Sequence, residues 1–258
     1  MSASSPSSSP SPSTTTSPTP TPTTRLASML PPLADNARRV YILRHGQTDW
    51  NLEGRMQGGG FDIELNENGR QQARMVSKEL AGIPIGVIAS SHLKRANETA
   101  NIVLREQQQQ QLKLQQAAKR VVLEEFGEMR FGNLEGMIIR GLQLTDKTKQ
   151  IMMDMDAVEL DITARYPGGG ESTEEVETRA RRGLQKILND YPDEKHLAIV
   201  AHGRTNKILL ASLVYNDALR CREIPQGNTC INVVDQDQHG KWTCRILNFL
   251  EHNHYLLR

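Results

Sequence analysis

The chain has 258 residues, with 31 Lys and Arg against 30 Asp and Glu and a formal net charge of +1. That length suits one α/β domain with a sizeable core, and the balanced charge argues against the broad basic field that non-specific nucleic-acid binding uses, so any anion site has to be local. Three cysteines, Cys221, Cys230 and Cys244, show no CxxC spacing, which argues against a disulfide framework and a structural zinc site and fits a reducing compartment.

Residues 1–24, MSASSPSSSPSPSTTTSPTPTPTT, carry no charged side chain and hold half of the chain's twelve prolines. Such a segment has too little apolar surface to offset its chain entropy and is expected to be disordered. With 25–37 as a linker, this gives a tail and linker over 1–37 and one domain over 38–258. The hydroxyl-rich, acid-free composition also suits an organelle transit peptide or a phosphorylated regulatory tail, although no arginine precedes Arg25. No apolar run approaches the roughly 18 residues of a membrane span, and no apolar core follows basic residues at the start, so a soluble, cytoplasmic chain is expected.

After the tail, short apolar β-branched runs alternate with helical stretches. RVYILRH, GVIASS, KRVVLEEF and KHLAIVAHG read as parallel strands buried on both faces. Between the first two, NENGRQQARMVSKELAG offers Asn66 as a helix N-cap and Gly82 as a stop. The glutamine run at 107–111, continuing into LKLQQ, is expected to lengthen a helix starting near Leu93 and to face solvent. Residues 136–166 read as a helical insertion whose methionines are core filler. ESTEEVETRARRGLQKIL has a Ser172/Glu175 capping box, then Val176, Ala180, Leu184 and Ile187 on one face. TCINVVDQDQHGKWTCRILNF reads as an antiparallel edge hairpin turning near Gly240. Strand and helix alternation predicts a mostly parallel sheet.

In such sheets ligands bind beyond the carboxyl ends of the strands. The first strand ends in Arg44-His45-Gly46, the second in Ser90-Ser91-His92-Leu93-Lys94-Arg95, the third in Glu124-Glu125-Phe126-Gly127-Glu128 and the fourth in Ala201-His202-Gly203-Arg204. Singly each has a plain reading: Arg95 could pair with Glu98 or Glu125, His202 could be structural, and Glu128 could be a solvated loop acid. Together they put two histidines, several arginines and an acid on one rim, which is chemistry for an anion.

RHGQTDWN, EGRMQG, SHLKRANETA, EMRFGNLEG, GGGESTEEVETR and VAHGRTNK, in this order, resemble the histidine phosphatase superfamily, in the branch of cofactor-dependent phosphoglycerate mutase and its phosphatase relatives. The resemblance runs from about residue 38 to 250. It implies a three-layer α/β/α fold with a mostly parallel central sheet, phosphoglycerate mutase-like, with a small helical cap insertion. It also implies a metal-independent phosphatase that needs no cofactor and acts on a small phosphorylated substrate. His45 would be the nucleophile, attacking phosphorus through a neutral ring nitrogen. Arg44, Arg95 and His202 would surround the phosphoryl oxygens, with Asn51 as a neutral donor and Gly46 letting the backbone approach the phosphate. Glu128 would protonate the departing oxygen and then take a proton from water, so it has to carry a proton when substrate arrives, in an apolar or anionic setting, the substrate phosphate included. Gln57, Gly203 and Arg204 would be pocket neighbours.

The chain departs from the family's pattern at Leu134, where a tryptophan is common, and at DIELN, with Glu64 for proline and Asn66 for threonine. The first change puts the wall of the leaving-group pocket in question; the second keeps a cap and looks structural. Glycolytic mutases carry a long insertion after the acid with a paired-arginine segment; here the stretch from Glu128 to Glu171 is short and has no Arg-Arg pair. A phosphatase is therefore favoured over a mutase. A phosphate-binding scaffold without turnover is the other alternative, and the retained His45 and Glu128 weigh against it. Whether the chain forms a homodimer stays open at this stage.

Overall fold

The structure is a computed structural model, described here for residues 24–111, 118–139 and 146–256. Its six strands are β1 (Arg38–Arg44), β2 (Val87–Ser90), β3 (Lys119–Val122), β4 (His196–Ala201), β5 (Ile231–Gln236) and β6 (Trp242–Phe249), in the spatial order β3-β2-β4-β1-β5-β6. β1, β2, β3 and β4 run parallel to one another, and the hairpin of β5 and β6 is added with β5 antiparallel to β1. The sheet is therefore mostly parallel, in a three-layer α/β arrangement, as the alternation predicts.

Alternate residues of β1 feed two cores. Val40 and Ile42 pack with Val176, Ala180 and Leu184 of α6 (Thr173–Asp190) and Ile208 to Ala211 of α7 (Gly203–Tyr215), whereas Tyr41 and Leu43 pack with Val76 of α3 (Glu67–Glu79) and Ala96 and Val103 of α4 (Lys94–Gln111). This period-2 division places one helical layer on each face of the sheet. β3 differs from the expectation of a strand buried on both faces: it lies at the sheet edge, and Val122 is exposed.

Local signals act as read. The Asn66 side chain accepts from Gly69 N at the start of α3, and Gly82 has a positive φ two residues beyond its C-cap, Leu80. Ser172 and Glu175 form the reciprocal capping box of α6. The insertion carries α5 (Asp146–Leu160), whose Ile151 and Val158 are buried. Gln107 is a correction. It is buried, and its amide donates to Leu80 O at 2.7 Å, tying α4 to the end of α3 instead of facing solvent; the LKLQQ continuation lies outside the described residues.

The segment read as a linker also holds structure. α1 (Arg25–Met29), capped by Thr24, buries Leu26 completely in the α3/α4 core. Among the described residues the domain's contacts thus reach back to Thr24, before residue 38, because Leu26 and, partly, Leu30 pack into that core. Residues 1–23, read as a tail, lie outside the described part. Among the described residues no helix is long and apolar enough to cross a membrane.

Candidate active site

The parallel strands open their carboxyl ends onto a cavity of about 470 Å³, lined by Arg44, His45, Asn51, Gln57, Arg95, Glu128, Gly203 and Arg204 among others. His45 follows the last residue of β1 and is buried. Its backbone N–H donates to Ala201 O at 3.0 Å, continuing the β1–β4 ladder, and its Nδ1 donates to Gly46 O at 2.7 Å. Since a carbonyl can only accept, the proton sits on Nδ1 and the lone pair on Nε2. Burial, then Arg95 and Arg44, depress the imidazole pKa well below its ordinary 6.5. His45 is neutral, with a fixed tautomer.

His202, the N-cap of α7, is buried with its ring 5.2 Å from that of His45, and neither ring nitrogen has a hydrogen-bond partner. Its pKa is likewise depressed by burial and by Arg95. Arg44 gives Nη1 to Gln226 O at 2.6 Å, and Arg95, wholly buried in the first turn of α4, gives its fork to Phe61 O and Gly58 O. Both keep an unpartnered buried Nε. Burial lowers both pKa values, that of Arg95 to about 10, so both remain cations at neutral pH. No carboxylate pairs with either among the described residues. The acids that could have paired with Arg95 are engaged elsewhere, Glu98 with Arg70 at 2.6 Å and Glu125 with Arg182 at 3.5 Å. Two guanidinium groups, one buried and one half-buried, with Glu128 as a nearby but unpaired acid, are costly unless an anion joins them.

Glu128 sits against the start of α7. Its Oε1 accepts from Met129 N at 2.9 Å, Thr205 N at 3.0 Å and Thr205 Oγ1 at 3.2 Å, and its Oε2 accepts from Arg204 N at 3.2 Å. The chain itself surrounds this acid with donors, N–H groups of helix α7 among them, so the anionic setting expected for it falls to the substrate phosphate. Behind Glu128, Arg179 grips Glu171 with Nε and Nη2 at 2.9 and 3.1 Å and donates Nη1 to the carbonyls of Glu125 and Gly127. Glu171 in turn accepts from Arg130 N at 2.9 Å. This buried pair clamps the chain on both sides of Glu128.

Four other positions have a different placement from the sequence reading. Gly46 does not line the cavity; a Cβ there would lie 2.4 Å from Gly69 O, so the glycine is required by backbone packing of β1's end on α3, and its N–H is given to Thr99 Oγ1. Arg204 faces the cavity but is committed to Glu159 of α5 at 3.0 Å, and its backbone N–H holds Glu128. Leu134 is buried in the core and absent from the cavity wall, which Trp50, Phe131, Ile139 and Met155 supply instead. Met155 is therefore part of the pocket, beyond the core-filling role expected of that helix's methionines. Gly203 lies over Arg44: a Cβ there would sit 3.4 Å from its Nε. Asn51 accepts through Oδ1 from Thr48 N and Asn228 Nδ2, which leaves its own Nδ2 for a ligand. Gln57 is buried with an unpartnered Oε1.

Sequence reasoning missed Gln226, Asn228 and Lys207, which also line the cavity. The first two precede β5, whose antiparallel direction brings its start, not its end, to this rim: Ile231 pairs with Leu43. The polar run PQGNTCIN just before a strand was the available signal. Among the described residues no group of three or more His, Cys, Asp or Glu is placed to hold a metal ion.

The family model of the histidine phosphatase superfamily (branch 1) matches residues 40–249. The chain belongs to that superfamily. Phosphoglycerate mutase-like protein 4 of Arabidopsis thaliana is 30% identical over 83% of this chain and 86% of its own length. An uncharacterized phosphatase, PhoE, of Bacillus subtilis is 32% identical over 83% of this chain and 95% of its own. The structure of a mycobacterial glucosyl-3-phosphoglycerate phosphatase, determined with VO3, superposes with a TM-score of 0.67 at 28% identity, covering 83% of this chain and all of that one. The superfamily and these relatives support a phosphatase or mutase type of activity; Arg44, His45, Arg95 and Glu128 of this member line one cavity, whereas His202 is absent from that lining and lies buried with its ring 5.2 Å from that of His45.

Proposed function

We propose that the protein is a metal-independent phosphatase that hydrolyses a small phosphate monoester through a phosphohistidine on His45. The observation that carries this reading is the neutral His45, its tautomer fixed by Gly46 O, set beside the half-buried Arg44 and the buried Arg95, each with a buried unpartnered Nε and neither in an ion pair among the described residues. The phosphoryl oxygens would take the free Nε groups of Arg44 and Arg95, the Asn51 amide and His202. Nε2 of His45 attacks phosphorus and the P–O ester bond breaks, with Glu128 giving its proton to the departing oxygen. Water then attacks the phosphohistidine, Glu128 takes a proton from it, the P–N bond breaks, and inorganic phosphate leaves.

A mutase of the phosphoglycerate type is the second reading, because several relatives are named probable phosphoglycerate mutases at 29–30% identity. The absence of an arginine pair between Glu128 and Glu171 weighs against it. The test is turnover of p-nitrophenyl phosphate with excess chelator, beside His45→Ala, followed by acid-labile phosphoryl trapping on the wild-type enzyme. Chelator-resistant turnover that disappears in the variant, with one phosphoryl group mapped to His45, is expected; turnover by His45→Ala would remove the reading. Adding 3-phosphoglycerate with a bisphosphoglycerate primer separates the two activities, since only a mutase yields 2-phosphoglycerate.

A further inference from the structure

The cavity is lined by five side-chain cations, and their partners differ. Arg55 pairs with Glu53 at 2.8 Å and donates to Gly136 O, and Arg204 pairs with Glu159. Arg44 and Arg95 stand at the phosphoryl end beside His45. Lys207 alone has neither a hydrogen bond nor an ion pair among the described residues, although it is half-buried. Its pKa is lowered by burial first and by Arg204 next. A partly desolvated ammonium beside Arg204 and Arg44, with Glu159 as a lesser opposing charge and no ion pair of its own among the described residues, is costly to keep.

Its position says what would relieve that cost. Gly203, where α7 begins, lies on the Arg44 guanidinium that faces the phosphoryl group. Lys207 comes four residues later and lines the same cavity, so it stands about 6 Å further along the helix axis at 1.5 Å per residue. Phosphate balanced by Arg44 and Arg95 would leave it unsatisfied, and Phe131, Ile139 and Met155, which also line the cavity, offer an ammonium no partner. We infer that Lys207 recognises a second anionic group, a carboxylate or a second phosphate, carried by the leaving group a few bonds from the ester oxygen. This names the substrate class of the proposed phosphatase site and rests on that reading.

Three probes of similar size test it: glycerol 3-phosphate, 3-phosphoglycerate and 1,3-propanediol bisphosphate, each with wild type and Lys207→Gln. The wild type is expected to show kcat/KM at least about tenfold higher for one or both doubly anionic probes, as a charge-assisted contact provides. Lys207→Gln is expected to erase most of that preference, lowering the doubly anionic probes about tenfold more than glycerol 3-phosphate. Which probe gains identifies carboxylate or phosphate. Equal rates on all three in the wild type, or a proportional loss on all three in the variant, would overturn the inference. Turnover of p-nitrophenyl phosphate separates the two levels: His45-dependent turnover without an anion preference sinks the Lys207 assignment alone, and turnover independent of His45 sinks the phosphatase reading beneath it.

Discussion

Burial among cations makes His45 and His202 poor bases, which is what a nucleophile that must arrive unprotonated needs. The same depression has a thermodynamic cost on the acid side, and His196, outside the cavity and lowered to about 4 by burial, shares it. In the unfolded chain these imidazoles titrate near 6.5, so as the pH falls below that value the unfolded state takes up protons that the folded state refuses. Stability present above about pH 6.5 is therefore lost on acidification toward 4. Melting temperature is expected to drop between pH 7 and pH 5, and His196→Gln should make that slope shallower in scanning calorimetry; parallel slopes would mean the histidine burden lies elsewhere. At this scale the five rim residues were legible because none of them has a use in a core. Gly46 was legible as a glycine but not for its reason, since nothing in RHG announces that Gly69 of a helix yet to come will press against it.

Among the elements, the loop bearing Glu128 depends on a pair that touches no substrate. Arg179 of α6 and Glu171 hold the carbonyl before Glu128 and the amide two residues after it. If this clamp positions the acid, Glu171→Gln should slow alkyl phosphates by tenfold or more, within the ~10²–10⁴ that general-acid catalysis supplies, and slow aryl phosphates much less, because their leaving groups need little protonation. KM for both should change little, and Glu128→Gln should show the same split; equal losses on the two substrates would indicate a merely structural pair. The capping signals of α3 and α6 were readable because side-chain caps are local chemistry. The antiparallel direction of β5 is legible in its hairpin signal, but the rim that Gln226 and Asn228 reach is set by the pairing of β5 with β1, which the residues around them do not carry. The docking of α1 through Leu26 depends on a groove that α3 and α4 create, and no window of sequence around residue 26 contains it.

For the whole molecule, near-neutral net charge conceals a strongly uneven interior: Arg44, Arg95 and Lys207 face Glu128 across one cavity. Without an anion this concentration of cations opposes folding, so a bound anion should stabilise the protein beyond simple occupancy of a groove. Inorganic phosphate at 100 times its dissociation constant adds about 2.7 kcal/mol, which for a domain of this size is a rise on the order of 5 °C in melting temperature. Arg95→Met should abolish the phosphate-induced rise, read by differential scanning fluorimetry in chloride against phosphate at matched ionic strength. A rise of equal size in the variant would place the anion elsewhere.

The two ends of the cavity are built differently. The phosphoryl end is assembled from β1, β4, α4 and α7, whose residues also hold the sheet and its two cores together. The far wall comes from Trp50 of the short α2 (Asp49–Glu53), from the connections around Phe131 and Ile139, and from α5, whose Glu159 pairs with Arg204 of α7. On the proposed phosphatase reading, changes in α5 and its flanks would alter which phosphate ester the cavity accepts while the His45 end keeps the reaction.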